Sequence, residues 1–310
     1  MMEDATSFNR VITVMEEGRD EKGVSDVKSN DSVPSYPPMK LSQGQLAMQI
    51  LNDGALTRGD RSWWVIILSS VLAGIMLSWG GALYVVLGAG TKSYWADAPG
   101  LHAVVAASVF PMGLTGIVLT GSDLLTSNMM YAALPFVTMD PRRPNWMKLK
   151  GSAKILIISF AFNFISCALM AAYIGAMVVH SDYAVSFVTG IAEKKVAGSL
   201  GLRFGKAVAA NWLVNIAVFQ AATAITVMEK MIILWLPITA FVACGFEHSV
   251  ANMFLIPLGM YYGADVTVGQ FIGHNLIIVI LGNFVGAALM VGALHWYGMM
   301  PANYWQRREL

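Results

Sequence analysis

Glu247 and His248 stand side by side as the only acid and the only histidine in the apolar run from Met231 to Ala264. A charge at membrane depth costs about 2.5 kcal/mol or more on insertion scales, so an ionisable pair there points to function. A histidine so placed either hydrogen-bonds neutrally between helices or exchanges protons with something that passes it. The second use has a specific chemistry. A bare anion is costly to desolvate in an apolar passage, whereas its conjugate acid is not. Imidazole, which titrates in the physiological range, is the side chain suited to lend or relay the proton. Asp123 is the matching acid in a second apolar run, Leu101 to Met139. Buried acids of this kind cap half-helices or pair with a lysine more often than they carry protons, and capping or pairing is the reading favoured for both. Thr126, three residues after Asp123, offers a hydroxyl that both donates and accepts. Cys167 and Cys244 lie in apolar runs with neither a C-x-x-C pair nor a zinc-like histidine spacing, so no metal, disulfide or cofactor is expected. Paired His/Asp or Ser/His arrangements are missing as well, which argues against an enzyme.

The elements that must hold these residues are membrane helices. Of 310 residues, 56% are hydrophobic and 13% charged, far apolar of a soluble domain. Ten of the acids and seven of the bases fall before residue 62. That segment, 1–61, reads as a cytoplasmic tail, polar and partly disordered. Its end, Leu41 to Leu56, is mildly amphipathic with Ser42 as a possible cap. Ser62 to Thr91, Ile155 to Val179, Ala207 to Met228 and Asn275 to Met300 each hold the roughly 20 apolar residues of a span. Leu101 to Met139 and Met231 to Ala264 are too long for one straight span and too short for two with a loop. Each therefore reads as a span interrupted near its middle, where irregular backbone faces protein or a pore.

The fold class expected is all-α integral membrane, with six transmembrane helices over residues 62–300 and a cytoplasmic tail at 301–310. GSDLLTSN (Gly121 to Asn128) and GFEHSVAN (Gly245 to Asn252) share a pattern, and Asn163-Phe164 in the third span matches Asn283-Phe284 in the sixth. A repeat of three spans must be inverted in its second copy, which is transporter and channel architecture, with the two interruptions meeting at the site. Arg58, Arg61, Arg142, Arg143, Lys148, Lys150, Lys154, Lys230, Arg307 and Arg308 fall on the side of the termini; Lys92, Lys194, Lys195, Arg203 and Lys206 fall opposite. The excess places both termini in the cytoplasm. A net charge of +1 gives no reason to expect nucleic acid. The acidic tail favours the plasma membrane over a plastid envelope.

With GSDLLTSN, AEKKV (Ala192 to Val196), AANWLV (Ala209 to Val214), GFEHSVANMF (Gly245 to Phe254) and LGNFVGA (Leu281 to Ala287), the chain resembles the formate/nitrite transporter family from about Trp63 to Tyr297. The resemblance implies an aquaporin-like six-helix protomer, a homopentamer with a pore in each subunit, and transport of formate, nitrite, lactate or hydrosulfide, with a proton or as a channel. It carries the central pore histidine onto His248, the flexible-loop threonine onto Thr126 and the vestibule lysine onto Lys195, with Glu247 and Asn211 beside it. The aromatic constrictions fall on Phe110 and Phe241, with Leu114 lining the first. Leu125 departs from the phenylalanine that many members carry, which implies a wider slit there. A neutral-solute channel of aquaporin type would need Asn-Pro-Ala where this chain has GSD and FEH.

Overall fold

The computed structural model describes residues 42–91, 97–139 and 146–300, all within the unit Lys40–Leu310. The expectations for the tails before residue 42 and after residue 300, and for Lys92, Arg142, Arg143, Arg307 and Arg308, lie outside these residues. The described chain is predominantly helical, with no strand among the described residues.

Ten helices follow in order. They are α1 (residues 43–60), α2 (Trp63–Thr91), α3 (Pro99–Thr120), α4 (Leu125–Val137), α5 (Trp146–Met177), α6 (Asp182–Val196), α7 (Leu200–Ala221), α8 (Val227–Ala243), α9 (Ser249–Tyr261) and α10 (Gln270–Met299). Four of them, α2, α3, α5 and α10, are long and apolar enough to cross a membrane. The fourth apolar run is displaced from its expected bounds. Its helix, α7, starts at Leu200 and stops at Ala221, which brings Arg203 and Lys206 into the helix instead of a loop.

Helix α6 was not expected. Ser181 caps it by accepting the Ala184 N–H, Asp182 sits in its first turn, and Lys194 and Lys195 sit in its last. Those charges suit the helix dipole at both ends. At the other end of the described chain, Ser42 and Gln45 form a reciprocal capping box that starts α1.

The order divides into two sets of five, α1–α5 and α6–α10, with the same packing in each. Helix α2 packs on α5 and α7 on α10; α1 packs on α4 and α6 on α9; α4 packs on α10 and α9 on α5. Small residues permit the closest approaches. A Cβ at Gly286 of α10 would lie 2.3 Å from the Val208 carbonyl of α7, and one at Gly80 of α2 would lie 2.6 Å from the Phe110 carbonyl. The second contact lies against the backbone of Phe110, one of the two aromatics that line the cavity described below.

Candidate functional site

Two short non-helical stretches separate α3 from α4 and α8 from α9. Gly121 and Gly245 stand at matching places in them with φ of 67° and 62°, a left-handed conformation that glycine adopts without a Cβ penalty. Helix starts leave backbone N–H groups unpaired, and here asparagines from neighbouring helices meet them. Asn163 of α5 accepts the Leu125 N–H at 2.8 Å and donates to the carbonyls of Ser70 (2.7 Å) and Asp123 (3.1 Å). Asn283 of α10 accepts the Ser249 N–H at 2.8 Å and donates to Ala207 (2.8 Å) and Glu247 (2.9 Å). The residues that marked the repeat in the sequence thus hold the two stretches in the same way.

The acids are paired in the same matched fashion. Asp123, fully buried, accepts from Arg58 of α1 at 2.7 Å, from Arg61 at 2.5 Å and from the Asn128 amide at 3.4 Å, so its ionic partners are arginines. Glu247 accepts from Lys195 of α6 at 3.2 Å, from Asn252 at 2.6 Å and from Asn275 at 3.3 Å. Asn275 also donates to the Lys195 carbonyl at 2.7 Å, fixing the lysine's backbone. Behind it, buried Arg203 donates to the carbonyls of Ala197 and His274, tying the end of α6 to the start of α10. Sequence reading passed over Arg203, Asn252 and Asn275. The first looked like a loop charge, and the asparagines carried no signal except the position of Asn252 in a motif.

Asn211 makes no hydrogen bond with Lys195 or Glu247 among the described residues. Its amide donates to the carbonyls of Thr126 (3.1 Å) and Asn283 (2.8 Å), and Asn215 also donates to the Thr126 carbonyl at 3.1 Å. The Thr126 backbone is therefore pinned from α7, while its buried hydroxyl makes no hydrogen bond among the described residues. Leu125 and Leu114 are buried in the apolar core.

Phe110, Phe241, Lys195, Glu247 and His248 line one cavity of about 650 Å³. The Phe110 and Phe241 rings meet edge-on with centroids 6.0 Å apart, and the His248 ring lies 5.6 Å from that of Phe241. His248 is the N-cap of α9: its Nδ1 accepts the Ala251 N–H at 3.2 Å. A nitrogen that accepts cannot carry the proton, so in the neutral ring the proton is on Nε2. A second proton can be added only by giving up the cap.

Residues 45–297 match the formate/nitrite transporter family. A probable formate transporter of Methanothermobacter thermautotrophicus is 38% identical over 248 residues, covering 75% of this chain and 88% of the relative. A formate-nitrite transporter of Entamoeba histolytica is 34% identical over 230 residues, covering 74% of this chain and 62% of the relative. A solved pentameric formate channel with formate bound superposes with a TM-score of 0.67 at 24% identity, over 76% of this chain and 96% of that one. A solved ion channel of the same family gives 0.63 at 25% identity, over 83% and 95%. A match across most of the chain, joined to a helical fold with membrane-crossing apolar helices, makes this an integral membrane protein. The chain belongs to the formate/nitrite transporter family, whose members are transporters and channels and not enzymes.

Proposed function

We propose that the chain is a six-span protomer that carries formate, nitrite or a related small monovalent anion across a membrane together with a proton. In this reading α3/α4 and α8/α9 are the interrupted second and fifth spans of an inverted repeat. Five copies assemble in lipid, each with its own pore, and both termini face the cytoplasm of a plasma membrane. The observation that carries the reading is the cavity lining, which brings His248, the Phe110–Phe241 pair and the Lys195–Glu247 pair to one space. Lysine draws the anion in and holds it ionised. The aromatic pair opposes a bare charge, and the histidine supplies the proton that removes it.

The proton balance is simple. An imidazolium at His248 transfers its Nε2 proton to the anion, giving neutral imidazole and the free acid. The ring then still holds its other proton on Nδ1, and the Ala251 N–H returns to Nδ1 only after that proton is lost and one is taken up on Nε2, which restores the resting tautomer. Thr126 and Leu114 line the apolar path beyond, with Asn211 fixing Thr126.

Uptake of labelled formate into liposomes holding the protein tests the proposal; uptake no faster than in protein-free liposomes would end it. In the same assay Lys195→Ala should lower uptake by about tenfold at neutral pH and low salt, where steering is strongest, and by less in acid, where more substrate is neutral. Part of the loss arises because Glu247 is left unpaired in the cavity and repels the anion. Adding Glu247→Gln to Lys195→Ala should therefore restore some uptake. Equal uptake by wild type and Lys195→Ala at neutral pH would remove the lysine from the mechanism.

A further inference from the structure

The cavity above His248 is far larger than a one-carbon anion requires. Its volume of about 650 Å³ falls within the range of sites that enclose drug-sized ligands, about 300–1,000 Å³, which are lined mainly by apolar and aromatic groups with a few polar anchors. Its walls have that character. Its rings are linked in series, His102 to Phe187 at 6.2 Å, Phe187 to Tyr84 at 5.8 Å and Tyr84 to Phe110 at 6.4 Å, centroid to centroid. At these spacings the rings already touch one another and form an aromatic wall against which a further ring can pack.

Three lysines, Lys194, Lys195 and Lys206, face the same space against one carboxylate, Glu247, already held by Lys195. Lys206, half-buried on α7, makes no side-chain hydrogen bond or ion pair among the described residues. A half-buried ammonium without a partner at the edge of an aromatic cup presents a charge to anything that enters.

We infer that this cavity is a binding site for a monocarboxylate carrying an aromatic tail, its head on Lys206 and its ring against Phe187 and Tyr84, and that such a ligand plugs the path above His248. The inference rests on the cavity being the transport vestibule only for the plugging; the binding stands apart from it.

Titration calorimetry of 3-phenylpropanoate into the purified full chain in lipid nanodiscs tests it, with 3-phenylpropan-1-ol as the uncharged match. The carboxylate should bind about tenfold or more tighter than the alcohol, the scale of one charge-assisted hydrogen bond. Lys206→Gln should remove most of that preference, Lys206→Arg should keep it, and Phe187→Ala should weaken both compounds. Equal affinity for acid and alcohol, or binding unchanged in both Lys206→Gln and Phe187→Ala, would overturn the site. A chain that binds the probe yet moves no labelled formate upholds the site and defeats the transport proposal. Formate uptake without probe binding does the reverse. Formate uptake unaffected by a saturating, demonstrably bound probe overturns the plugging.

Discussion

Replacing His248 with asparagine should leave the protein folded and lower the flux of weak-acid anions by about a hundredfold, the scale on which a positioned proton donor acts. Asparagine is chosen because His248 caps α9 through the Ala251 N–H, and an asparagine oxygen can accept that bond. His248→Phe keeps the ring volume but loses the cap, at a cost of about 1 kcal/mol, and should transport as poorly as His248→Asn. Labelled formate flux in liposomes, with gel filtration as the check on folding, reads both variants. Wild-type flux in His248→Asn would leave the histidine as a gate or selectivity contact and remove it as a proton donor.

The largest effect on stability is expected at Asn163 and Asn283. Interhelical hydrogen bonds in membranes average only about 0.6 kcal/mol when the freed groups find other partners. These two asparagines differ because they serve the first backbone N–H groups of α4 and α9 and the carbonyls of the residues just before. Those groups have no partner within their own helix. Orphaned buried polar groups cost about 1–3 kcal/mol each, so Asn163→Ala or Asn283→Ala should cost about 2–5 kcal/mol. That corresponds to a fall of roughly 10 °C in the unfolding midpoint for a domain of this size. Thermal unfolding in detergent checks it. A midpoint unmoved in both variants would mean that the helix starts are held by something other than the asparagines.

How far the sequence leads can be judged residue by residue. Apolar runs located α2, α5 and α10 because a span must be long and uncharged. The repeat was visible in Asn163-Phe164 and Asn283-Phe284, although nothing in those positions pointed to the specific backbone groups they hold. Helix α6 escaped because its fifteen residues are too short to count as a span and its lysines resemble a loop. Arg58 and Arg61 could be read as cytoplasmic charges. Their pairing with Asp123 could not, because it joins residues more than sixty positions apart through tertiary packing. Asn211 was drawn toward Lys195 by resemblance, whereas helical geometry on α7 turns it toward Thr126 and Asn283. Lys206 counted only as one more outer charge until α7 was seen to begin at Leu200 and carry it to the cavity wall.

The central claim is that the anion crosses with a proton. It is tested most directly by measuring current and external pH together while formate enters voltage-clamped proteoliposomes. Entry with a proton predicts uptake that rises as the external pH falls, an outer solution that turns alkaline in step with uptake, and no net current. Crossing of the bare anion predicts instead a substrate current that follows the potential, at about 2.3 kcal/mol per charge per 100 mV, with no alkalinisation. That result would contradict the account.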